Sequence, residues 1–257
     1  DTPGHVDFTY EVSRSLAACD GAILVVDAAQ GIEAQTLSNL YLAMDNNLEI
    51  LPVVNKIDLP SANPTKVAGE IVELLGCSPD DVMKVSAKQG IGIEDVLEAV
   101  VRMIPPPVGD PDAPLQAMVF DSTFDSYRGA RPLVKIFNGT VKKGDKIKFV
   151  SNAKQYEVEE VGFLRLEAIP QESLKAGDVG YLFASIREVA DTKIGDTITN
   201  ALNPTTEPVK GFVNVKPMVF SGLYPAIAED FTQLRESLEK LKLNDSSLSF
   251  TPESSTA

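Results

Sequence analysis

The chain has 257 residues, of which 44% are hydrophobic and 23% charged, proportions that are ordinary for a soluble globular protein. Its formal net charge of −14 argues against a basic surface for nucleic acid, so we expect no autonomous binding of RNA or DNA. One histidine and two cysteines exclude a zinc cluster and a disulfide framework, and the low cysteine count fits a reducing compartment.

Residues 1–104 alternate between helix patterns and strand patterns with short connections, which favours a parallel sheet of the α/β class. The continuous apolar run of residues 21–28 predicts a strand buried on both faces. Asn63-Pro64 and Gly76 are typical of the start and the end of a helix. The predicted helices are residues 8–18, 33–45, 63–75 and 93–103, and the predicted strands are residues 21–28, 48–54 and 82–85.

A proline-rich linker at residues 105–111 precedes a region of short strand patterns that extends to about residue 199. Glycine-aspartate pairs separate several of these patterns, at Gly144-Asp145, Gly177-Asp178 and Gly195-Asp196. Closely spaced short strands with such turns predict a small antiparallel β-barrel. The predicted strands are residues 115–122, 133–138, 146–150, 156–166, 179–186 and a last one near Thr197.

A second linker at residues 204–208 leads to a strand pattern at 213–220, an amphipathic helix at 227–241 and a strand pattern at 247–250. A piece this small cannot bury both faces of its sheet, so we expect it to belong to a larger third domain. The predicted domains are therefore residues 1–108, 109–204 and 205–257.

The polar motif Asn55-Lys56-Ile57-Asp58 follows the second predicted strand, at the edge of the sheet where ligands of α/β proteins bind. The Asp58 carboxylate can accept two hydrogen bonds from the ring N–H and the amine of guanine, a pair of donors that adenine lacks. Asn55 would tie neighbouring loops together and approach the base edge, and the Lys56 stem would lie along the face of the base. The alternative is a solvated turn, since asparagine and aspartate favour turns.

A second motif, Ser86-Ala87-Lys88, follows the third predicted strand. Its backbone N–H groups can donate to the guanine carbonyl oxygen, and Lys88 could cover the other face of the base. Alone, the tripeptide is better explained as an ordinary strand-to-helix loop. Its place beside the motif that ends at Asp58 makes it specific, because both motifs lie at the same edge of the sheet.

The first five residues, Asp1-Thr2-Pro3-Gly4-His5, are predicted to lie under the terminal phosphate of a nucleotide. Gly4 lets a backbone N–H approach a phosphate oxygen. Asp1 can hold Mg²⁺ directly or through water, and His5 can position the attacking water. The alternatives are a capping or core histidine for His5 and a merely charged chain end for Asp1.

Asp20 and Asp27 lie near the first predicted strand and suggest a pair of acid/base carboxylates. Seven residues apart on an extended strand, they would be separated by more than about 20 Å. We therefore reject that role for them.

The three motifs resemble the third, fourth and fifth guanine-nucleotide motifs of translational GTPases, and residues 1–36 resemble the switch II region and the strand that follows it. The closer resemblance is to the LepA family, also called elongation factor 4, and it extends over essentially the whole chain. It is carried by the sequences KIDLPSANP, MIPPPVGDPDAPLQAMVFDSTFD, VKIFNGTVKKGDKI, VKPMVFSGLYP and LKLNDSSLSFTPESS.

The resemblance implies a P-loop GTPase domain, a β-barrel second domain and the start of an α+β ferredoxin-like third domain. The implied activity is ribosome-dependent hydrolysis of GTP in translation elongation, in back-translocation or rescue of stalled ribosomes. GTP or GDP and Mg²⁺ are the implied cofactors, and the implied partners of the intact protein are both ribosomal subunits and transfer RNA. The implied location is the cytoplasm, including the cytoplasmic face of the cell membrane, or an organelle in a eukaryote.

Two departures from the family pattern concern the phosphates. The 257 residues contain no G-x-x-x-x-G-K-[ST] loop and no counterpart of the switch I threonine, since Thr2 lies in a different motif. We therefore expect an internal fragment that binds GTP weakly and hydrolyses it negligibly by itself. The alternatives are a GTP-controlled binding module, elongation factor G, the BipA factor and the GTPase subunit of a sulfate-activating enzyme. Residues 215–225 and 243–250 favour LepA over the last of these.

Overall fold

The structure is a computed structural model that describes residues 9–125, 127–188, 191–210, 220–244 and 248–252. It divides into two compact units, the first ending at Pro107 and the second beginning at Val108, within the predicted proline-rich linker. The first five residues, which carry the predicted phosphate-facing motif, lie outside the described residues.

The first unit is built around a parallel sheet of three strands in the order β1-β2-β3, as the alternating pattern predicts. The bounds of its helices also agree with the predictions to within two residues at each described end. The strands are β1 (Gly21–Asp27), β2 (Glu49–Asn55) and β3 (Met83–Lys84), and the helices are α1 (Thr9–Ala17), α2 (Ala34–Asp45), α3 (Pro64–Leu75) and α4 (Ile93–Met103).

Local capping explains where α3 begins and ends. The Asn63 side chain accepts a hydrogen bond from the Lys66 N–H at 3.1 Å, and Pro64 occupies the first helical position. At the other end, Gly76 adopts a left-handed conformation with a φ of 66°, which glycine tolerates at low cost. The helix thus spans the residues that its sequence signals predict.

The prediction that β1 is buried on both faces is wrong. Ile23 and Val25 remain 43% and 56% exposed, whereas Val26 on the other face is buried against α3. Helix α4 packs over β2 and β3, and Ile104, directly after it, lies against Gly21 at the start of β1. Among the described residues, no element covers Ile23 and Val25 farther along the same face. A continuous apolar run shows only that both faces are apolar and does not show what packs against them.

The second unit contains an antiparallel sheet with the strand order β10-β9-β12-β5-β4-β13-β7-β8, and a smaller pair, β11-β6. One apolar core, which includes Ile136, Phe149 and Leu182, joins the strands of both. The strands are β4 (Gln116–Asp125), β5 (Gly129–Asn138), β6 (Thr140–Lys142), β7 (Lys146–Phe149), β8 (Gln155–Glu157), β9 (Glu160–Leu164), β10 (Ala168–Gln171), β11 (Ser173–Lys175), β12 (Val179–Phe183) and β13 (Thr197–Asn200).

Glycine-aspartate turns shape this sheet as expected. Gly144 and Gly177 have φ values of 87° and 94°. The next residues, Asp145 and Asp178, each accept a backbone hydrogen bond from three residues earlier, at 2.9 and 2.8 Å. The predicted strand at residues 156–166 is divided in two, β8 and β9. The sequence patterns also miss β6, β10 and β11, and all four residues of β10 are exposed, so β10 lacks the apolar alternation that marks a half-buried strand.

The region after residue 204 is only partly described. Residues 211–219, which hold most of the strand predicted at 213–220, and residues 245–247, which include the first residue of the strand predicted at 247–250, lie outside the described residues. Helix α5 (Phe231–Asn244), preceded by a short 3₁₀ turn at Ala228–Asp230, confirms the predicted helix. Residues 248–250 form no strand, contrary to the prediction, since no described strand lies beside them. Within the described residues, no helix is long and apolar enough to cross a membrane.

Candidate functional site

The two predicted guanine-reading motifs meet at the carboxyl edge of the parallel sheet. Asn55 ends β2, and Ser86 follows β3 on the neighbouring strand. The backbone joins the two loops, because the Ile57 N–H donates to the Val85 carbonyl oxygen at 3.3 Å. The edge of the sheet thus brings together residues that are distant in sequence, as parallel strands with crossover helices require.

The Asn55 side chain connects the two motifs directly. Its Oδ1 atom accepts hydrogen bonds from the Lys56 N–H at 2.7 Å and from the Ala87 N–H at 3.1 Å. The predicted role of tying neighbouring loops therefore agrees with the geometry. The same contact reveals an unforeseen constraint, since the Ala87 N–H already has an acceptor.

Ser86 lies at the centre of the arrangement and is fully buried. Its hydroxyl donates to Asp58 Oδ1 at 2.6 Å and accepts a hydrogen bond from the Gln89 N–H at 3.2 Å. Its own N–H donates to the Ile91 carbonyl oxygen at 3.0 Å. The Ser86 N–H therefore already has an acceptor, and the Ser86 side chain orients the predicted reader, Asp58.

Asp58 is half-buried, and its carboxylate is oriented from one side only. Ser86 occupies one lone pair of Oδ1, and Oδ2 has no hydrogen-bond partner among the described residues. A carboxylate in this state can accept two further hydrogen bonds from adjacent donors. This acceptor pair complements the ring N–H and the amine of guanine.

The exposed turn at Ala87 and Lys88 supplies hydrogen-bond donors, whereas Asp58 supplies acceptors. In the described part of the chain, the Lys88 N–H meets no backbone or side-chain acceptor. A carbonyl oxygen could therefore bind this N–H, or share the Ala87 N–H with Asn55. Donors on one loop and a carboxylate on the other match guanine and not adenine, which has an amine where guanine has its carbonyl oxygen.

Lys56 has a positive φ of 64°, which is unusual for a residue with a side chain. Its ammonium Nζ lies 2.8 Å from Asp27 Oδ2, at the end of β1. The hydrogen bond from Lys56, and next the one from the Ala29 N–H, hold the pKa of the Asp27 carboxyl below its usual value. Sequence reasoning missed this partner, although Asp27 ends a strand at the same sheet edge.

Asp1, Gly4 and His5 lie outside the described residues, so their predicted roles stay predictions. Among the described residues, no group of three or more histidine, cysteine, aspartate or glutamate side chains could hold a metal ion. The predicted magnesium ligand, Asp1, lies outside the described residues, so its role as a ligand stays a prediction.

Comparison with known proteins finds matches to family models and to relatives of known name. A family model described as the elongation factor Tu GTP binding domain matches residues 1–106, and one described as elongation factor Tu domain 2 matches residues 129–199. Proteins named elongation factor 4 match all 257 residues, at 60% identity in Bacillus pumilus, 59% in Christiangramia forsetii and 56% in Porphyromonas gingivalis. The chain covers 42%, 43% and 43%, respectively, of the length of these relatives.

Proposed function

This chain belongs to the translational GTPase family, and from that premise we propose that the intact protein hydrolyses GTP to GDP and phosphate on the ribosome, as an elongation factor 4 type of factor. The observation that carries the proposal is the hydrogen-bonded group of Asn55, Asp58, Ser86 and Ala87. It supplies both the acceptor pair and the donors that distinguish guanine from adenine. The group lies at the carboxyl edge of a parallel sheet, where a nucleotide is expected to bind.

In the proposed complex, each described residue has a distinct role. Asp58 accepts the ring N–H and the amine of guanine, and Ser86 holds its carboxylate in place. The backbone N–H groups of Lys88 and Ala87 donate to the guanine carbonyl oxygen. The stems of Lys56 and Lys88 cover the two faces of the base, so that water is kept from the polar contacts.

The roles of the first five residues are proposed from the chemistry of their side chains and backbone and from the family resemblance. We assign Asp1 to the Mg²⁺ ion, Gly4 to a phosphate oxygen and His5 to the attacking water. A bound Mg²⁺ would neutralise charge on the phosphates, which is the chief contribution of such an ion to phosphoryl transfer. The family membership supports these assignments, since residues 1–106 match the GTP binding domain.

The same premise extends to the remaining fold and partners. We propose that the antiparallel sheet closes into a small barrel and that the region after residue 204 begins a ferredoxin-like domain. The intact protein would then contact both ribosomal subunits and transfer RNA in the cytoplasm, where it would act in back-translocation or in rescue of stalled ribosomes.

Turnover of GTP by the intact protein, measured with and without ribosomes, tests this proposal. We expect ribosomes to increase turnover strongly, and His5→Ala to lower the stimulated rate by about a hundredfold or more while leaving GDP affinity unchanged. Stable GTP binding with turnover that ribosomes do not change would instead favour the alternative, a GTP-controlled binding module.

A further inference from the structure

The ion pair between Asp27 and Lys56 joins the proposed guanine motif to a residue outside it. Asp27 is the last residue of β1, and its side chain is 15% exposed. Its Oδ2 atom lies 2.8 Å from the Lys56 ammonium, whose side chain is 56% exposed. The carboxylate is therefore partly exposed, and the lysine extends along the surface to reach it, so the pair is accessible to solvent.

The two oxygen atoms of Asp27 have separate partners. Whereas Oδ2 faces the lysine, Oδ1 accepts hydrogen bonds from the Ala29 N–H at 2.7 Å and the Gln30 N–H at 3.3 Å. These two bonds form the turn after β1, a common use of aspartate. They hold the carboxylate in one orientation, so the lysine meets a fixed partner.

The backbone brings the pair together independently of the side chains. Asp27 and Asn55 are register partners on the parallel strands β1 and β2. The Ala28 N–H donates to the Asn55 carbonyl oxygen at 2.8 Å, directly before Lys56. Lys56 then turns into the left-handed region, at a φ of 64°. The strained turn and the paired strand ends together direct the Lys56 side chain towards β1.

We propose that Asp27 is a positioning residue of the guanine site, which anchors the Lys56 ammonium so that the lysine stem forms a fixed wall for the base. A free lysine side chain occupies many rotamers, and fixing it on binding would weaken affinity. The anchor also neutralises the ammonium, so that the methylene stem is what Lys56 presents to the base. This inference rests on the function proposed above.

The variant Asp27→Asn tests the anchor with little change in shape. An asparagine can still accept the hydrogen bonds from Ala29 and Gln30, but it cannot form the ion pair. In the intact protein we expect the dissociation constant of a fluorescent GDP analogue to rise about two- to fivefold, the range for an exposed ion pair. Faster dissociation should account for most of the change. Glu49→Gln, which removes an exposed charge at the opposite end of β2, should leave the constant unchanged.

A double-mutant cycle separates positioning from a general structural role. If Asp27 acts through Lys56, then Asp27→Asn should have no further effect on GDP affinity in a Lys56→Met protein. Equal effects of Asp27→Asn in both backgrounds would overturn the inference, because Asp27 would then act independently of the lysine. An unchanged affinity in the single variant would also overturn it while leaving the proposed function intact. A wild-type protein that does not prefer GDP to ADP would overturn the proposed function itself.

Discussion

Replacing Ser86 with alanine removes the hydroxyl that orients Asp58, the proposed guanine reader, and leaves Asp58 itself unchanged. Ser86 is fully buried, and its hydroxyl donates to Asp58 Oδ1 at 2.6 Å. Without that bond the carboxylate can rotate in the free protein and must be ordered when guanine binds. Ordering one side chain costs about 0.5–1.5 kcal/mol. We therefore expect the dissociation constant for GDP to rise about two- to tenfold in Ser86→Ala.

Equilibrium binding of a fluorescent GDP analogue to the intact protein measures this effect, with two variants for comparison. Ser78→Ala makes the same chemical change in an exposed turn, where the hydroxyl accepts the Asp80 N–H at 3.4 Å, and should bind like the wild type. Asp58→Ala removes two hydrogen bonds to a charged group and should weaken binding about a hundredfold or more. Wild-type affinity in Ser86→Ala, or a loss as large as that of Asp58→Ala, would refute the orienting role.

Three further predictions concern stability and the chain by itself. Burial, and then a hydrogen bond to a carboxylate, raise the pKa values of Tyr156 and Tyr181 to about 12. The contribution of these tyrosines to the free energy of unfolding is therefore fully present below about pH 10 and is lost as the pH rises to about 12. Absorbance at 295 nm should show two late ionisations in the wild type, and each should disappear when the corresponding tyrosine is replaced by phenylalanine. Ile71→Ala in the core should lower the free energy of unfolding by about 2–5 kcal/mol in urea titrations, and Val101→Ala, at a position 81% exposed, should leave it nearly unchanged. Residues 1–257 alone should bind GTP more weakly than micromolar in calorimetry, and a micromolar dissociation constant would contradict this.

Local signals predicted the helices well because their determinants lie close together in sequence. The Asn63 cap and the left-handed Gly76 fixed the ends of α3, and both are visible in the structure. The exposure of Ile23 and Val25 was not predictable in this way. It depends on which distant element packs over β1, and an apolar run carries no such information.

In the candidate site, too, the sequence predicted which residues would come together but not the contacts that depend on distant parts of the chain. The residue types and their places after adjacent strands predicted that Asn55 and Asp58 would meet the loop at Ser86. The individual hydrogen bonds did not follow, since the Ser86 side chain reaches Asp58 while its N–H is bound to Ile91. The pairing of Asp27 with Lys56 was also missed, because strand register decides it and no local pattern reports register between parallel strands.

The base preference of Asp58→Asn tests most directly whether this constellation reads guanine. Xanthine carries a carbonyl oxygen where guanine carries its amine, and an asparagine amide can donate to that oxygen. With the intact protein, we predict that the wild type binds GDP more tightly than xanthosine diphosphate and that Asp58→Asn reverses this order. An Asp58→Asn protein that still prefers GDP would contradict the assignment of Asp58 as the reader.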